Sequence, residues 1–294
     1  MLSKLEPTFT YKIWGGTKLS EIKNHKTDVP LGETWEISTH VDGPSLIGTE
    51  PLNKFCDLSY LVKFIDTSDN LSVQVHPGDE YAKEHEGEMG KTECWIILDS
   101  VPGAGIYLGF KEGITKKEFK TAVENNLNVQ NYLNFFPTKA GDYFYVPFGA
   151  VHAIGSGVTL CEVQQNSGIT YRVWDWNRVD DNGVSRELHI DKAMDVLNFN
   201  NEFNNKLKTS KNVFGTSGLQ KIVEHQDFKA DLLTLEKDQS KELNLKEKEG
   251  LAILVGELNI DGNEYNSFDC AITLKSSLCQ ITVKEKSIIL LVRE

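Results

Sequence analysis

The sequence contains no run of about 18 apolar residues, so no helix is expected to cross a membrane. Its first residues, MLSKLEPTFTYKIWGG, lack the apolar stretch of a secretory signal. The five cysteines, Cys56, Cys94, Cys161, Cys270 and Cys279, are odd in number and scattered, and none falls in a C-x-x-C pair. This spacing argues against a disulfide framework and reads as reduced thiols in a cytoplasmic protein. Cys94 follows the polar Glu93 in a strand pattern, which points to burial rather than chemistry. Positive charge is also scarce. Against 43 Asp and Glu stand 31 Lys and Arg, a net charge of −12. That balance argues against nucleic acid or an anionic membrane surface as a partner. A small anionic ligand is still compatible with it, provided basic groups gather locally. Regular β-α-β alternation is missing, which excludes a doubly wound parallel sheet, and no short tandem repeat is visible.

What is present is the pattern of a soluble, strand-rich protein. The 294 residues, 39% apolar and 25% charged, suffice for one large domain or two modest ones. GETWEIS (32–38), SYLVKFID (59–66), LSVQVHP (71–77), TECWIIL (92–98), GIYLGF (105–110), DYFYVP (142–147) and VTLCEVQQ (158–165) are short runs rich in Val, Ile and aromatics, separated by turn residues. A helical island interrupts them. Thr115 opens T-K-K-E, a capping box with Glu118, and Phe119, Ala122 and Val123 follow at helical spacing. A second short helical stretch is expected near 129–133, closed by Pro137, and a further helix over ELHIDKAMDVLNF (187–199). The polar, aperiodic segment 198–218 reads as a linker. Strands then resume in ADLLTLE (230–236), LAILVGELNI (251–260), AITLK (271–275), QITVK (280–284) and SIILLVRE (287–294), with a hairpin turn expected at Asp261-Gly262. The expected organisation is a larger unit over 1–200, the one that holds the candidate chemistry, with a helical insertion at about 113–136, then a smaller β unit over 215–294. The second unit holds one histidine, His225, and no cluster of acids and histidines.

Successive side chains of a strand point to opposite faces. In LSVQVHP, Gln74 and His76 therefore share one face and Val73 and Val75 the other. Alone, such a polar pair also suits an edge strand with a solvated face. Glu93, at the start of TECWIIL, shares a face with Trp95, and antiparallel pairing of these two strands across the intervening loop would bring it beside His76. In GDYFYVPFGAVHAIG (141–155), a strand ends at Pro147, turns at Gly149 and restarts at His152. Gln74, His76, Glu93 and His152 thus form a possible ligand set. Two imidazoles and one carboxylate suit a catalytic Zn²⁺, and Fe²⁺ or Mn²⁺ equally. His25, His40, His85, His189 and His225 sit in polar or helical contexts that favour no metal role, and His85 reads as a solvated loop residue.

These residues carry a resemblance. Gly141, Pro147-x-Gly149 and His152 are similar to the second cupin motif, with Ser156 where asparagine is usual, and VQVH (73–76) is similar to the first, with Gln74 in place of a histidine. The interval from His76 to Glu93 is longer than in most cupins. The chain resembles the type I mannose-6-phosphate isomerases, particularly their short bacterial form. The matching stretches are YKIWGG (11–16), LGETWEIS (31–38), LVKFID (61–66), LSVQVHPGDEYA (71–82), GKTECW (90–95), VPFGAVHAIG (146–155) and GITYRVWDWNR (168–178). The resemblance implies a mainly β fold: a cupin (jelly-roll) barrel with a small helical insertion, plus a second, smaller cupin-like β unit. It implies one Zn²⁺ per chain held by His76, Glu93 and His152, with Gln74 a fourth ligand in some members, and reversible conversion of mannose 6-phosphate to fructose 6-phosphate. Arg172 matches the family's active-site arginine and Lys91 an active-site lysine. The chain departs at Gly90, where enterobacterial members carry a histidine, and at Gly168, where some longer members carry an acid.

The chemistry of an aldose–ketose isomerisation places further residues. It needs a base, stabilisation of an enediolate and a grip on the phosphate. Arg172 and Arg178 lie six apart beside Trp174 and Trp176, and the planar guanidinium suits phosphate oxygens. Lys63 interrupts the apolar run of LVKFID, which places its ammonium in a polar cavity or at the surface. A nearby metal and other cations would lower the pKa of Lys91 and make it a proton shuttle. Glu33, on the face of Trp35, is the expected cavity acid, whereas Glu36 takes the other face. Lys91, Glu33 and a metal-bound water all qualify as the base. Trp14, in the W-G-G turn, packs near the pocket or is purely structural. Two other readings compete: a non-catalytic cupin module that binds sugar phosphate, and an Fe²⁺ oxygenase on the same scaffold. An oxygenase has no need of a phosphate grip, and a metal-only module needs neither Lys91 nor Arg172.

Overall fold

A computed structural model describes residues 2–179, 182–208 and 211–294. The structure is mainly β, and its four large sheets are antiparallel throughout. A seven-stranded sheet runs in the order Lys211–Asn212, Asp142–Val146, Glu93–Ser100, Val158–Gln165, Tyr60–Asp66, Leu31–Ile37, Thr8–Gly16. Facing it is a five-stranded sheet: Leu133–Pro137, Gly105–Phe110, His152–Ile154, Val73–Val75, Tyr171–Trp174. Together they form the jelly-roll barrel. The second unit is a sandwich of a six-stranded and a four-stranded sheet.

Packing makes this a layered molecule. Trp95, Ile97, Ile106, Leu108, Phe144 and Leu160 fill the space between the two barrel sheets. Val62, Phe64, Cys94, Cys161 and Val163 leave the opposite face of the seven-stranded sheet and pack on Ala230, Leu232, Leu290 and Val292 of the second unit. Every residue of Val158–Gln165 and of Tyr60–Asp66 is consequently buried. The outer face of the five-stranded sheet is covered by helices Lys116–Glu124 and Ile190–Val196 through Val73, Val75, Phe119 and Met194. The cysteines are unbonded, and all but Cys56 are buried.

The capping box forms as read: the Thr115 side chain accepts from the Glu118 amide, and the Glu118 carboxylate accepts from the Thr115 amide at 3.0 Å. Residues 129–132 make a short 3-10 helix, but Pro137 closes the following strand, Leu133–Pro137, rather than that helix. The strand lies at a sheet edge, where a missing N–H is tolerated. At the hairpin, Asp261 and Gly262 both have positive φ, +50° and +88°, as a two-residue loop of this kind requires.

Two further expectations are corrected. The segment 198–218 is not a bare linker. Its asparagines build structure: Asn200 caps helix Asn201–Lys206 by accepting from Glu202 and Phe203, and the buried Asn204 accepts from the Phe110 amide at 2.8 Å. Residues 209 and 210 within it lie outside the described residues. Second, residues 79–85 are helical, and the exposed His85 ends that helix, stacked on Tyr81. Two strand pairings also link segments distant in the chain. Strand Leu2–Leu5 pairs with Cys270–Thr273 of the second unit, while Lys211–Asn212 pairs with Asp142–Val146 of the barrel.

Candidate metal centre and cavity

His76, Glu93 and His152 converge in the barrel, all but fully buried. They do not meet by pairing of neighbouring strands, as the sequence suggested. The strand before His76 belongs to the five-stranded sheet and the strand opened by Glu93 to the seven-stranded one. They meet across the barrel interior. His152 stands in the sheet of His76 because Gln74 pairs in register with it. The turn before it needs Gly149, whose φ is +78°.

The ring orientations are fixed. His76 Nδ1 donates to the Ile169 carbonyl at 2.8 Å and His152 Nδ1 to the Ala150 carbonyl at 2.9 Å. A carbonyl only accepts, so both rings carry their proton on Nδ1 and present a bare Nε2 inward. His76 Nε2 lies 3.5 Å from Glu93 Oε2, and His152 Nε2 lies 3.5 Å from Glu93 Oε1. Bond lengths of about 2.0–2.1 Å in a tetrahedral zinc site put ligand atoms about 3.3 Å apart, close to these separations. His76 Nε2 and both Glu93 oxygens are buried without a hydrogen bond, although Lys91 Nζ makes an ion pair with Oε2 at 2.8 Å. Buried polar atoms normally find partners, so these orphaned acceptors fit a divalent cation. Gln74 Nε2 sits 3.2 Å from His152 Nε2, and turning the amide over puts its oxygen at the same place. Burial holds both imidazoles neutral, His152 down at about 4 and His76 well below its ordinary value, with Lys91 adding to the effect in each. Among the described residues no second group of this kind occurs.

Beside the ligands opens a cavity of about 470 Å³. Trp14, Glu33, Lys63, Gln74, Lys91 and Arg172 line it. Lys63 Nζ sits 4.4 Å from the Trp35 ring centre and 3.7 Å from Glu33, and Trp35 Nε1 donates to Glu33 at 2.7 Å. Burial works to raise the Glu33 pKa, but Lys63 and Lys12 hold its carboxyl below the ordinary range. Burial and the neighbouring Lys91 push Lys63 down. Lys91 is pulled two ways by its surroundings. Burial lowers it, but Glu93 and Glu162 overcompensate and carry it up to about 12. The protein's own charges therefore keep Lys91 a cation.

Arg178 does not line this cavity. Its guanidinium is spent on Asp69, at 3.0 Å, and on Asp175. Arg186 lines the cavity instead, with Nε on Asp175 Oδ2 at 2.7 Å. Glu162, which the sequence reading passed over, also faces in: its carboxylate takes the Trp95 Nε1 proton at 2.9 Å and lies 3.8 Å from Lys63 and 3.9 Å from Lys91. Burial and Glu93 raise its pKa. Arg172 donates from Nη1 to the Glu187 carbonyl at 2.8 Å and keeps Nε buried without a partner.

No family model matches the chain. Among curated proteins, a probable mannose-6-phosphate isomerase of Bacillus subtilis is 42% identical over 217 residues, which span 66% of this chain and 67% of the relative. A mannose-6-phosphate isomerase of Streptococcus mutans is 42% identical over 207 residues, 63% of this chain and 64% of the relative. Among solved structures, the mannose 6-phosphate isomerase from Bacillus subtilis superposes with a TM-score of 0.82 at 28% identity, over 100% of this chain and 99% of that one.

Proposed function

The chain belongs to the mannose-6-phosphate isomerase family, and on that premise we propose that it interconverts mannose 6-phosphate and fructose 6-phosphate with the help of one bound Zn²⁺. The observation that carries this reading is the convergence of three buried ligand groups, of which His76 Nε2 and the Glu93 oxygens lack a hydrogen bond, beside a cavity walled by cations. His76, Glu93 and His152 would hold the metal, with Gln74 as a fourth donor. A bound zinc supplies Lewis-acid polarisation of a substrate oxygen.

The chain's own residues supply the rest. Arg172 and Arg186 grip the phosphate, with Asp175 orienting Arg186; the place expected for Arg178 falls to Arg186. Lys91 and Lys63 offset the negative charge that develops on O1 and O2 as the enediolate forms. Preorganised cations at a buried site act strongly there because little reorganisation is needed. The proton moves between C1 and C2, and Glu162 is the group suited to carry it, because a carboxyl raised from its ordinary range is a better base near neutrality. Glu33, held low and bonded to Trp35, orients Lys63 instead. Trp14 and Trp95 wall the cavity and restrict water. Nothing in this chemistry calls for a nucleic acid or membrane partner, and a cytoplasmic location fits a soluble sugar phosphate.

The test is a coupled assay of mannose 6-phosphate isomerisation by the metal-loaded protein, before and after chelation. Turnover lost on chelation and restored by zinc is the expected result. Turnover insensitive to chelation would refute the metal role. No turnover by the loaded protein would favour a sugar-phosphate-binding module.

A further inference from the structure

The second unit sends no described residue into the cavity, yet it reaches the metal-bearing segments by another route. Resting on the metal-site reading above, we propose that the loop at 225–228 is a positioning device for those segments, with Asp227 and Gln226 as its positioning residues. This loop joins strands Gly218–Glu224 and Lys229–Leu235 and is anchored by the fully buried Phe228. Its backbone is tied to the barrel, since Ser59 Oγ donates to the Asp227 carbonyl at 2.6 Å.

From this loop two side chains extend. Asp227 Oδ2 accepts from Gln165 Nε2 at 2.8 Å, and Gln226 Nε2 donates to Asp79 Oδ2 at 2.8 Å. Gln165 Nε2 also donates to Asp79 Oδ1, at 3.0 Å. Two carboxylates on one amide nitrogen fix the sense of that amide, so Gln165 Oε1 must face the other way. There it accepts from the Thr92 amide at 2.8 Å, while Asp79 Oδ1 accepts from the Gly90 amide at 2.9 Å. The amides on either side of Lys91 are therefore held by two side chains, and each of those is held by the loop. Thr92 precedes Glu93 directly, and Asp79 follows His76 by three positions.

The same cluster gathers the third ligand segment. Lys91 N donates to the Pro77 carbonyl at 3.0 Å, Gly149 N to the His76 carbonyl at 2.9 Å, and Phe148 N to Thr92 Oγ1 at 3.2 Å. Gly90 permits this approach. A Cβ there would lie 2.6 Å from the Asp79 nitrogen and from the Gly78 carbonyl carbon, so no side chain fits without a backbone shift. Gln165 is 1% exposed, so its amide depends on the acceptors the protein places beside it. Groups that orient metal ligands from outside the ligand set typically contribute 10–100-fold to metal affinity or activity. Asp227 acts through one more residue, so the low end applies.

The experiment compares full-length Asp227→Ala, Asp227→Asn and Gln226→Ala with the unmodified protein. Zinc affinity is read by competition with a chromophoric chelator, and backbone hydrogen exchange is read in peptides covering 88–95, alongside kcat and KM for mannose 6-phosphate. Asp227→Ala is expected to weaken zinc binding about tenfold, speed exchange at 90–92 and lower kcat with KM nearly constant. Asp227→Asn keeps an acceptor for Gln165 and should stay within about threefold of the unmodified protein on every measure. Gln226→Ala leaves the Asp227–Gln165 bond in place, gives a weaker form of the same effects, and decides the matter if Asp227→Ala does not fold. Zinc affinity and exchange unchanged in Asp227→Ala, with only thermal stability reduced, would overturn the proposal. So would an Asn variant as impaired as the Ala variant. If the zinc and exchange effects occur in a protein that does not turn over mannose 6-phosphate at all, the isomerase reading fails and the positioning role stands.

Discussion

Replacing Arg186 by alanine separates the two arginines that compete for the role of phosphate grip. Arg186 and Arg172 border the cavity, whereas Arg178 turns to Asp69 and Asp175. A hydrogen bond to a charged group contributes about 1.5–3 kcal/mol, and 1.4 kcal/mol is about a factor of ten, so losing one arginine from a phosphate should lower kcat/KM by about 10- to 150-fold. Arg186→Lys keeps the charge but loses the fork, and should fall between. Arg178→Ala loses an ion pair with Asp69, whose side chain is 52% exposed, and one with the buried Asp175, which keeps its contacts to Arg186. The exposed pair contributes at most about 1 kcal/mol, and both losses fall on stability rather than on the cavity, so its kcat/KM should stay within about threefold of the unmodified enzyme. The assay is steady-state isomerisation of mannose 6-phosphate, with inorganic phosphate as competitive inhibitor. The inhibition constant for phosphate should rise in Arg186→Ala by the same factor as kcat/KM falls. Weakened catalysis without weakened inhibition by phosphate would refute the grip, because the residue would then act on something other than the anion. Equal losses in Arg178→Ala and Arg186→Ala would refute the distinction between them.

The metal site should tolerate acid better than ordinary histidines do. Zinc binds the neutral imidazole, and burial with nearby Lys91 depresses His152 to about 4 and His76 well below its usual value, so protons should begin to compete only as pH falls towards about 4, not below the ordinary 6.5 or so. Chelator competition at a series of pH values reads this directly; a steep loss of affinity starting near pH 6.5 would contradict it. The pair Lys23–Glu36, 2.7 Å apart with Glu36 fully buried, also ties the end of helix Lys18–Ile22 to the second unit through Lys23 Nζ and the Phe268 carbonyl at 2.7 Å. Lys23→Met leaves the Glu36 charge uncompensated and should cost about 3–5 kcal/mol in urea unfolding, and Lys23→Met with Glu36→Leu should recover most of it. A double variant as unstable as the single one would show that packing, not the stranded charge, sets the loss.

What the sequence revealed and what it hid follow from one distinction, between facing and closure. The period of two along a strand is local: it put Gln74 with His76 and Glu33 with Trp35 on shared faces and left Lys63 between a cavity and the surface, and the structure lines the cavity with Gln74, Glu33, Trp35 and Lys63. Closure is not local. That Glu93 reaches His76 across a barrel rather than along a sheet depends on which strands pair, and no spacing between them encodes it. The six-residue interval from Arg172 to Arg178 misled for a related reason. Trp176 and Asn177 both take positive φ, +58° and +59°, and beyond them Arg178 turns to Asp69 and Asp175 rather than to the cavity. The interlock of Leu2–Leu5 with Cys270–Thr273 joins the two ends of the chain and leaves no trace in either segment alone.

Glu162 was within reach. It is the one charged residue in VTLCEVQQ, spaced evenly with Val158 and Leu160, which face the barrel interior. Lys63 is the lone charge before Asp66 in SYLVKFID, a run equally apolar. The two prove to be cross-strand partners in register, with Lys63 Nζ 3.8 Å from Glu162 Oε1. Burying either charge alone would be costly, so each isolated charge in a wholly buried strand implies a partner or a polar cavity facing it. Two such strands, one with a lone cation and one with a lone anion, satisfy that demand most simply by pairing. That demand, applied to both strands at once, finds Glu162, turns Lys63 from the surface towards the cavity and predicts which strands are neighbours.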